Sequence, residues 1–348
     1  MDMQNNLENK IKFGLGGHLE WDPKTLFEDR MSEIYEELNE IDPNAQIDYL
    51  DGIPCQERDA DLALENGHPY ISFLDLFILG GSENWPDALD SMKKCMEIAK
   101  KIGTYKVLDM QIHGDSNQPS LPQLVDFFRR AWDLADPLGI DLCVETHIDR
   151  ISYDPRHLMR VHEALIDATK GERGLNISAD FSHYVHQVGN TNGILWADHQ
   201  SGTLNLNPMD PNNFVSKTLI PSDLIKMGHL RMAVPNNLNR EQGSIQYPII
   251  DPIHDPRSSD YSGLIHFNSW TDDRTHAWKH WYRELFKHIL QSNYAEPVYF
   301  SSEFIRYDGD YALEPYRNRF QNLAIIAWAQ KTKRDLIAEL QPSSSAIG

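Results

Sequence analysis

Short apolar runs alternate with amphipathic stretches along nearly the whole chain, with polar turns between them. Runs at Ile11–Leu15, 47–50, 106–112, 140–145, 175–180, 228–233 and 297–304 read as strands, and 264–268 reads as a weaker one. Most are apolar without clean alternation, the pattern of parallel strands covered on both faces. Between them, 86–102 puts Leu89, Met92, Met96 and Ala99 on one helical stripe and stops at Gly103. The stretch 123–138 stops at Gly139, and 155–169 carries Leu158, Val161, His162 and Leu165 on one face. Two longer helical patterns, 273–292 and 315–340, follow. In the first, Trp278, Trp281, Leu285 and Ile289 form the apolar stripe of an outer helix, with a partner surface as the alternative. Strand–helix alternation at about 30–40 residues predicts parallel βαβ units. The expected fold is α/β, a closed (β/α)8 TIM barrel over 1–341, with an open doubly wound sheet as the second reading. Residues 342–348 read as a flexible tail.

Two stretches break the rhythm. Residues 189–217 and 235–262 are rich in Asn, Pro, Asp, Gly and Ser, and carry Trp196, His199, Tyr247 and His254. They read as ordered active-site loop insertions, since loops this long in a compact domain are functional or disordered. The chain has 32 Lys+Arg against 52 Asp+Glu, a net charge of −20. That weighs against nucleic acid or an anionic membrane as partner, because phosphate binding needs clustered basic groups. No run approaches the roughly 18 apolar residues of a membrane span. The first residues are polar without the apolar centre of a signal peptide, so a cytoplasmic protein is expected. Cys55, Cys95 and Cys143 are odd in number and far apart, which predicts buried thiols rather than disulfides. GLGG at 14–17 is an incomplete dinucleotide fingerprint and reads as a tight strand end. HExxH, GxSxG and GxxxxGK[ST] are missing from the chain.

The chemistry concentrates at strand ends, where a (β/α)8 barrel places its active site. Those ends read GGHLEW (His18, Glu20), MQIHGD (His113, Asp115), CVETH (Glu145, His147), SADFSHY (Asp180, His183), GHLRM (His229, Arg231) and SSEF (Glu303). Polar side chains there are costly unless satisfied. In a closed barrel all six ends converge on one cavity. Carboxylate and imidazole donors suit a hard-to-borderline divalent ion such as Mn²⁺, Mg²⁺, Co²⁺ or Zn²⁺.

Glu145 in VETH, Asp180 and His183 in ADFSH, His229 in GHLRM and Glu303 in SSEF resemble the xylose-isomerase-like sugar-phosphate isomerase/epimerase superfamily. Its pattern is Glu after the fourth strand, Asp-x-x-His after the fifth, His after the sixth and Glu after the eighth. The resemblance covers roughly residues 11 to 340. It implies one divalent ion, manganese foremost, held by Glu145, Asp180, His229 and Glu303. It puts His183 at the substrate or in the outer shell of the ion, while His147 lies outside the family's four-ligand pattern. From their places at the strand ends, catalytic roles are expected for Glu145, His147, His183 and Glu303, and substrate contacts for His18, His113 and Arg231. The interval from Glu145 to Glu303 exceeds that of small ketose epimerases, and the excess lies in the two loops, which suggests a substrate larger than a monosaccharide. Within the superfamily the acid–His clusters resemble the catalytic subunit of C-glycoside deglycosidases, which act on 3-oxo-glycosides in an oligomer with a small β-rich partner.

The expected activity is proton removal next to a carbonyl of a keto-sugar or 3-oxo-glycoside, leading to isomerisation, epimerisation or lyase-type cleavage. The ligand set cannot choose among these outcomes. A metal-dependent phosphodiester endonuclease of the same barrel superfamily and a non-catalytic sugar-binding subunit are the alternatives.

Overall fold

The computed structural model describes residues 7–16, 27–54, 57–79, 85–113, 118–148, 150–189, 195–208, 210–234, 245–246, 272–304 and 315–341. Eight parallel strands close into a barrel: β1 (Ile11–Leu15), β2 (Tyr49–Asp51), β3 (Tyr70–Ile78), β4 (Val107–His113), β5 (Asp141–Glu145), β6 (Asn176–Ala179), β7 (Ile225–Leu230) and β10 (Val298–Ser302). Their order is β1-β10-β7-β6-β5-β4-β3-β2, and β1 pairs with both β10 and β2, which excludes the open sheet. A two-residue antiparallel ribbon, β8 (Ala233–Val234) with β9 (Ile245–Gln246), stands apart.

The eighth barrel strand is β3, not the expected 264–268. The barrel closes without that segment, which lies outside the described residues. Polar breaks hid β3 (YISFLDLFI): Ser72 faces the barrel interior and donates to Asp51 Oδ1 at 2.8 Å, while Cys95 Sγ donates to Asp75 Oδ2 on the outer face at 2.7 Å. In β7, Lys226 similarly broke the apolar run, so the strand starts at Ile225 rather than 228.

Alternate residues of each strand point inward. Val107, Cys143 and Met227, with Tyr299 against them, form one interior layer. Two residues further along lie Asp109, Glu145, His229 and Ser301, all buried. Tyr49 fills the space beside them, its hydroxyl 2.9 Å from Ser301 Oγ and its ring 5.5 Å from that of Tyr299. Gly14 on β1 makes room for it: a Cβ there would sit 2.3 Å from the Tyr49 ring. The barrel interior is therefore apolar at one end and acidic at the mouth.

The outer strand faces bury aromatics against surrounding helices: α1 (Phe27–Ile41), α2 (Glu57–Glu65), α3 (Trp85–Ile102), α4 (Leu121–Ala135), α5 (Pro155–Ala168), α6 (Ser182–Gly189), α7 (Trp196–Ser201), α8 (Asp272–Gln291) and α9 (Pro315–Leu340). The expected stripe of α8 holds, with Trp278, Trp281, Leu285 and Ile289 fully buried. Phe286 meets Phe13 and Phe300 edge-on at 5.6 and 5.0 Å. Burying each such side chain is worth about 1.5–3 kcal/mol. Cys95 and Cys143 are free and buried, as expected; Cys55 lies outside the described residues.

Of the two loop stretches, most of 235–262 lies outside the described residues. In 189–217, α7 is followed by buried Leu204 and Leu206, and Arg156 at the start of α5 ties it down by a 2.5 Å ion pair to Asp198. Its later part packs on α8: Trp281 Nε1 donates to Asn213 Oδ1 at 3.0 Å. Among the described residues, no helix is long and apolar enough to cross a membrane.

Candidate metal centre

Strand parity delivers the acidic cluster to the barrel mouth. Glu145 ends β5, and two residues on, past Thr146, the same face carries His147. Asp180 follows β6, His229 lies in β7 with Arg231 two residues beyond it, and Glu303 follows β10. Local bonds lock these turns. Thr146 Oγ1 accepts from the Asp180 N–H at 2.8 Å and donates to the Asp180 carbonyl at 2.9 Å, which fixes the ends of β5 and β6 together. Ser152 Oγ accepts from the His147 N–H at 3.1 Å and donates to the Glu145 carbonyl. From outside, the Tyr282 hydroxyl of α8 lies 2.6 Å from the His229 carbonyl and 3.0 Å from that of Ala179, and accepts from the Phe181 N–H.

The four expected ligands come together. His229 Nδ1 lies 3.3 Å from Glu145 Oε1 and 3.4 Å from Glu303 Oε2. Donor atoms of Glu145, Asp180 and Glu303 lie within 4.8 Å of one another, and all four residues are buried. Glu145 also groups with His147 and His183 within the same distance. Those two imidazoles stack with centroids 3.8 Å apart.

Arg231, expected to contact substrate, forms a buried ion pair with Asp180 Oδ2 at 3.1 Å. Its guanidinium also donates to Ser182 Oγ at 3.0 Å and meets His183 Nε2 at 2.7 Å. His113 ends β4, half-buried, and belongs to none of the acid–imidazole groups found among the described residues. His18, Glu20 and Asp115 lie outside the described residues.

Two carboxylates were not anticipated. Asp109, in the middle of β4, is fully buried with Oδ2 3.3 Å from His229 Nε2, and Asp51 Oδ2 lies 3.6 Å from the same nitrogen. The signal for Asp109 was its parity with His113: a carboxylate inside a buried strand needs a partner. Asp51 sits one residue beyond the strand end expected at 50.

The electrostatics follow from this crowding. Burial pushes the Asp180 carboxyl up to about 7, with Glu303 and Glu145 adding to the rise and Arg231 opposing it. Burial likewise raises Asp109 well above the usual carboxylate range, against the attraction of His229. Burial alone would lower His229, but the surrounding carboxylates, Glu303 and Asp109 foremost, hold it well above an ordinary imidazole. Burial lowers His147.

The donor set fits a divalent cation. Asp51, Asp109, Glu145 and Glu303 surround the His229 imidazole, and Asp180, paired to the Arg231 guanidinium, groups with Glu145 and Glu303. Glu145 Oε2 and Asp109 Oδ1 are buried with no hydrogen-bond partner among the described residues. Oxygen-rich, thiolate-free coordination suits Mn²⁺, Mg²⁺, Co²⁺ or Zn²⁺.

No protein-family model and no curated protein sequence matches the chain. Solved structures do. A xylose isomerase-like TIM barrel/4-hydroxyphenylpyruvate dioxygenase fusion protein matches with a TM-score of 0.55 at 13% identity, over 96% of this chain and 45% of that one. The chain thus spans just under half the length of that fusion protein. A xylose isomerase-like TIM barrel protein from Mycobacterium smegmatis in complex with magnesium matches with a TM-score of 0.52 at 13% identity, over 98% and 100% of the two chains. The IOLI protein with a bound zinc atom gives 0.51 at 12% identity, over 94% and 99%. The chain has the fold of the xylose isomerase-like TIM barrels.

Proposed function

We propose that this chain is a divalent-metal-dependent enzyme that acts on a keto-sugar or 3-oxo-glycoside by removing a proton next to a carbonyl, with isomerisation, epimerisation or lyase-type cleavage as the outcome. One observation carries the reading: a buried nest of carboxylates around His229 at the barrel mouth, with the stacked His147–His183 pair beside it. Glu145, Asp180, His229 and Glu303 would hold the ion, with manganese the favoured metal. When bound, a divalent ion polarises a carbonyl and makes the neighbouring C–H more acidic.

The protein's own base is His147. Its Nδ1 bonds the Ile148 carbonyl, an acceptor, so Nδ1 carries the proton and Nε2 the lone pair. Burial keeps the ring neutral at neutral pH, which is the state a general base needs. His183 is placed differently. A guanidinium only donates, so His183 Nε2 accepts from Arg231 and its proton sits on Nδ1. His183 is then a substrate hydrogen-bond donor, and Arg231 holds it and Asp180 in place.

A glycoside rather than a bare sugar is supported by the opposite rim. Strand parity turns Leu76 and Ile78 of β3 inward, across the barrel from β7, yet they are 41% and 42% exposed. An aglycone would cover such a surface. The magnesium and zinc in two of the compared structures agree with a metal site in this fold.

Solvent deuterium exchange followed by mass spectrometry, across ketoses, 3-oxo-O-glycosides and 3-oxo-C-glycosides, tests the reading. Deuterium next to the carbonyl with an isomeric product indicates an isomerase or epimerase, and release of an aglycone indicates cleavage. Absence of exchange on every carbonyl substrate with metal-loaded protein overturns the mechanism.

A further inference from the structure

His229 offers two nitrogens to a crowded site, and the two sides of its ring differ. Nδ1 faces Glu145 and Glu303, at 3.3 and 3.4 Å. Nε2 faces the barrel interior, where Asp109 Oδ2 lies at 3.3 Å. The nitrogens point to opposite edges of the ring, so Nδ1 faces the Glu145–Glu303 side and Nε2 the Asp109 side, although donor atoms of Asp109, Glu145 and His229 lie within 4.8 Å of one another.

Asp109 is itself fixed. Ser178 Oγ of β6 donates to Asp109 Oδ2 at 2.9 Å, and the residue is fully buried in the middle of β4, two residues short of the mouth-facing Gln111. Asp51 stands further off at 3.6 Å, with Ser72 Oγ donating to its Oδ1.

We infer that Asp109 is the positioning residue of the metal-binding histidine: held by Ser178, it takes the Nε2–H of His229 and leaves Nδ1 as the nitrogen that meets the ion. This rests on the metal site proposed above. Histidine ligands depend on such partners, because the bond on the far nitrogen fixes both the tautomer and the ring's direction. Here the partner comes from the barrel interior, on β4, three strands round from the β7 that carries His229. The placement explains why a carboxylate is retained in the interior of β4, where an isolated one would be costly.

The experiment uses full-length protein loaded with Zn²⁺. Nitrogen-15 spectra of histidine-labelled wild type should show His229 protonated at Nε2 and metal-bound at Nδ1. In Asp109→Leu, which keeps the volume and removes the acceptor, Zn²⁺ affinity by competition titration should fall about 10–100-fold. Asp109→Asn keeps an acceptor oxygen and should recover most of that loss, which a purely structural role would not produce. Metal bound at Nε2 in wild type, or unchanged affinity in a folded Asp109→Leu, overturns the inference while leaving the metal site intact. If Asp109→Leu fails to fold, the wild-type spectrum decides. Failure of wild type to bind Zn²⁺ at all would instead sink the metal site itself, and this inference with it.

Discussion

His147 and His183 stack at 3.8 Å, yet their neighbours fix opposite hydrogen-bonding states on the two rings. A carbonyl on Nδ1 leaves His147 a lone pair to accept a proton, and a guanidinium on Nε2 leaves His183 a proton to donate. His147→Ala should therefore lower turnover by about 10²–10⁴-fold, the usual worth of a general base, while elemental analysis finds wild-type metal. Loss of metal in that variant would make His147 a ligand. Arg231→Lys should raise KM and lower turnover together, because a point charge cannot reproduce a guanidinium shared among Asp180, Ser182 and His183. At this scale the sequence showed the strand-end residues but not Asp109 or Asp51. Acids at the ends of apolar runs stand out, whereas an acid within a run reads as a flaw in the strand until the inward parity is known. Arg231 also shows what a string of letters omits: its partner Asp180 is distant in sequence and adjacent only through strand pairing.

Among elements, α8 links the core to the chemistry. Its aromatic stripe was legible from helical spacing; that Tyr282 inside the stripe reaches the His229 and Ala179 carbonyls was not, since a tyrosine hydroxyl's target depends on tertiary packing. Trp281→Ala should cost about 3–5 kcal/mol in denaturant unfolding, from lost burial and the lost bond to Asn213 Oδ1. Tyr282→Phe should cost less, about 0.5–1.5 kcal/mol, and also weaken metal binding by loosening the ends of β6 and β7. Equal metal affinity in Tyr282→Phe would reduce the residue to packing. Strand β3 carries the contrary lesson. Its inward Ser72 and outward Asp75 are each satisfied by a neighbour, so polar letters in the run marked partners rather than a break in the strand.

For the whole molecule, strand–helix alternation made the barrel legible, and the ordered strand-end acids and histidines the family resemblance, although the solved structures named above are only 12–13% identical. Topology set by strand–helix alternation survives sequence change that erases most side-chain similarity. The buried acid cluster then gives the fold a pH signature. Asp180 titrates near 7 in the folded chain against about 4 unfolded, so between those values the folded state holds the extra proton. His229, also raised, adds stability below its unfolded value that is lost as pH rises through its folded one. Metal-stripped protein should therefore melt lower at about pH 8 than at about pH 6, and added Mn²⁺ should raise Tm more at the higher pH, where fewer protons must be displaced. A melting temperature that climbs with pH in the stripped protein would contradict the arrangement.

The most direct test of the metal centre is elemental analysis of the purified chain beside Glu145→Gln, Asp180→Asn, His229→Gln and Glu303→Gln. Each variant removes one proposed ligand with little change in volume. One divalent ion per wild-type chain and marked loss of it in every variant are the expected results. Metal content unchanged in all four, or a wild-type chain that takes up no divalent ion when Mn²⁺, Co²⁺ or Zn²⁺ is supplied, would contradict the metal centre.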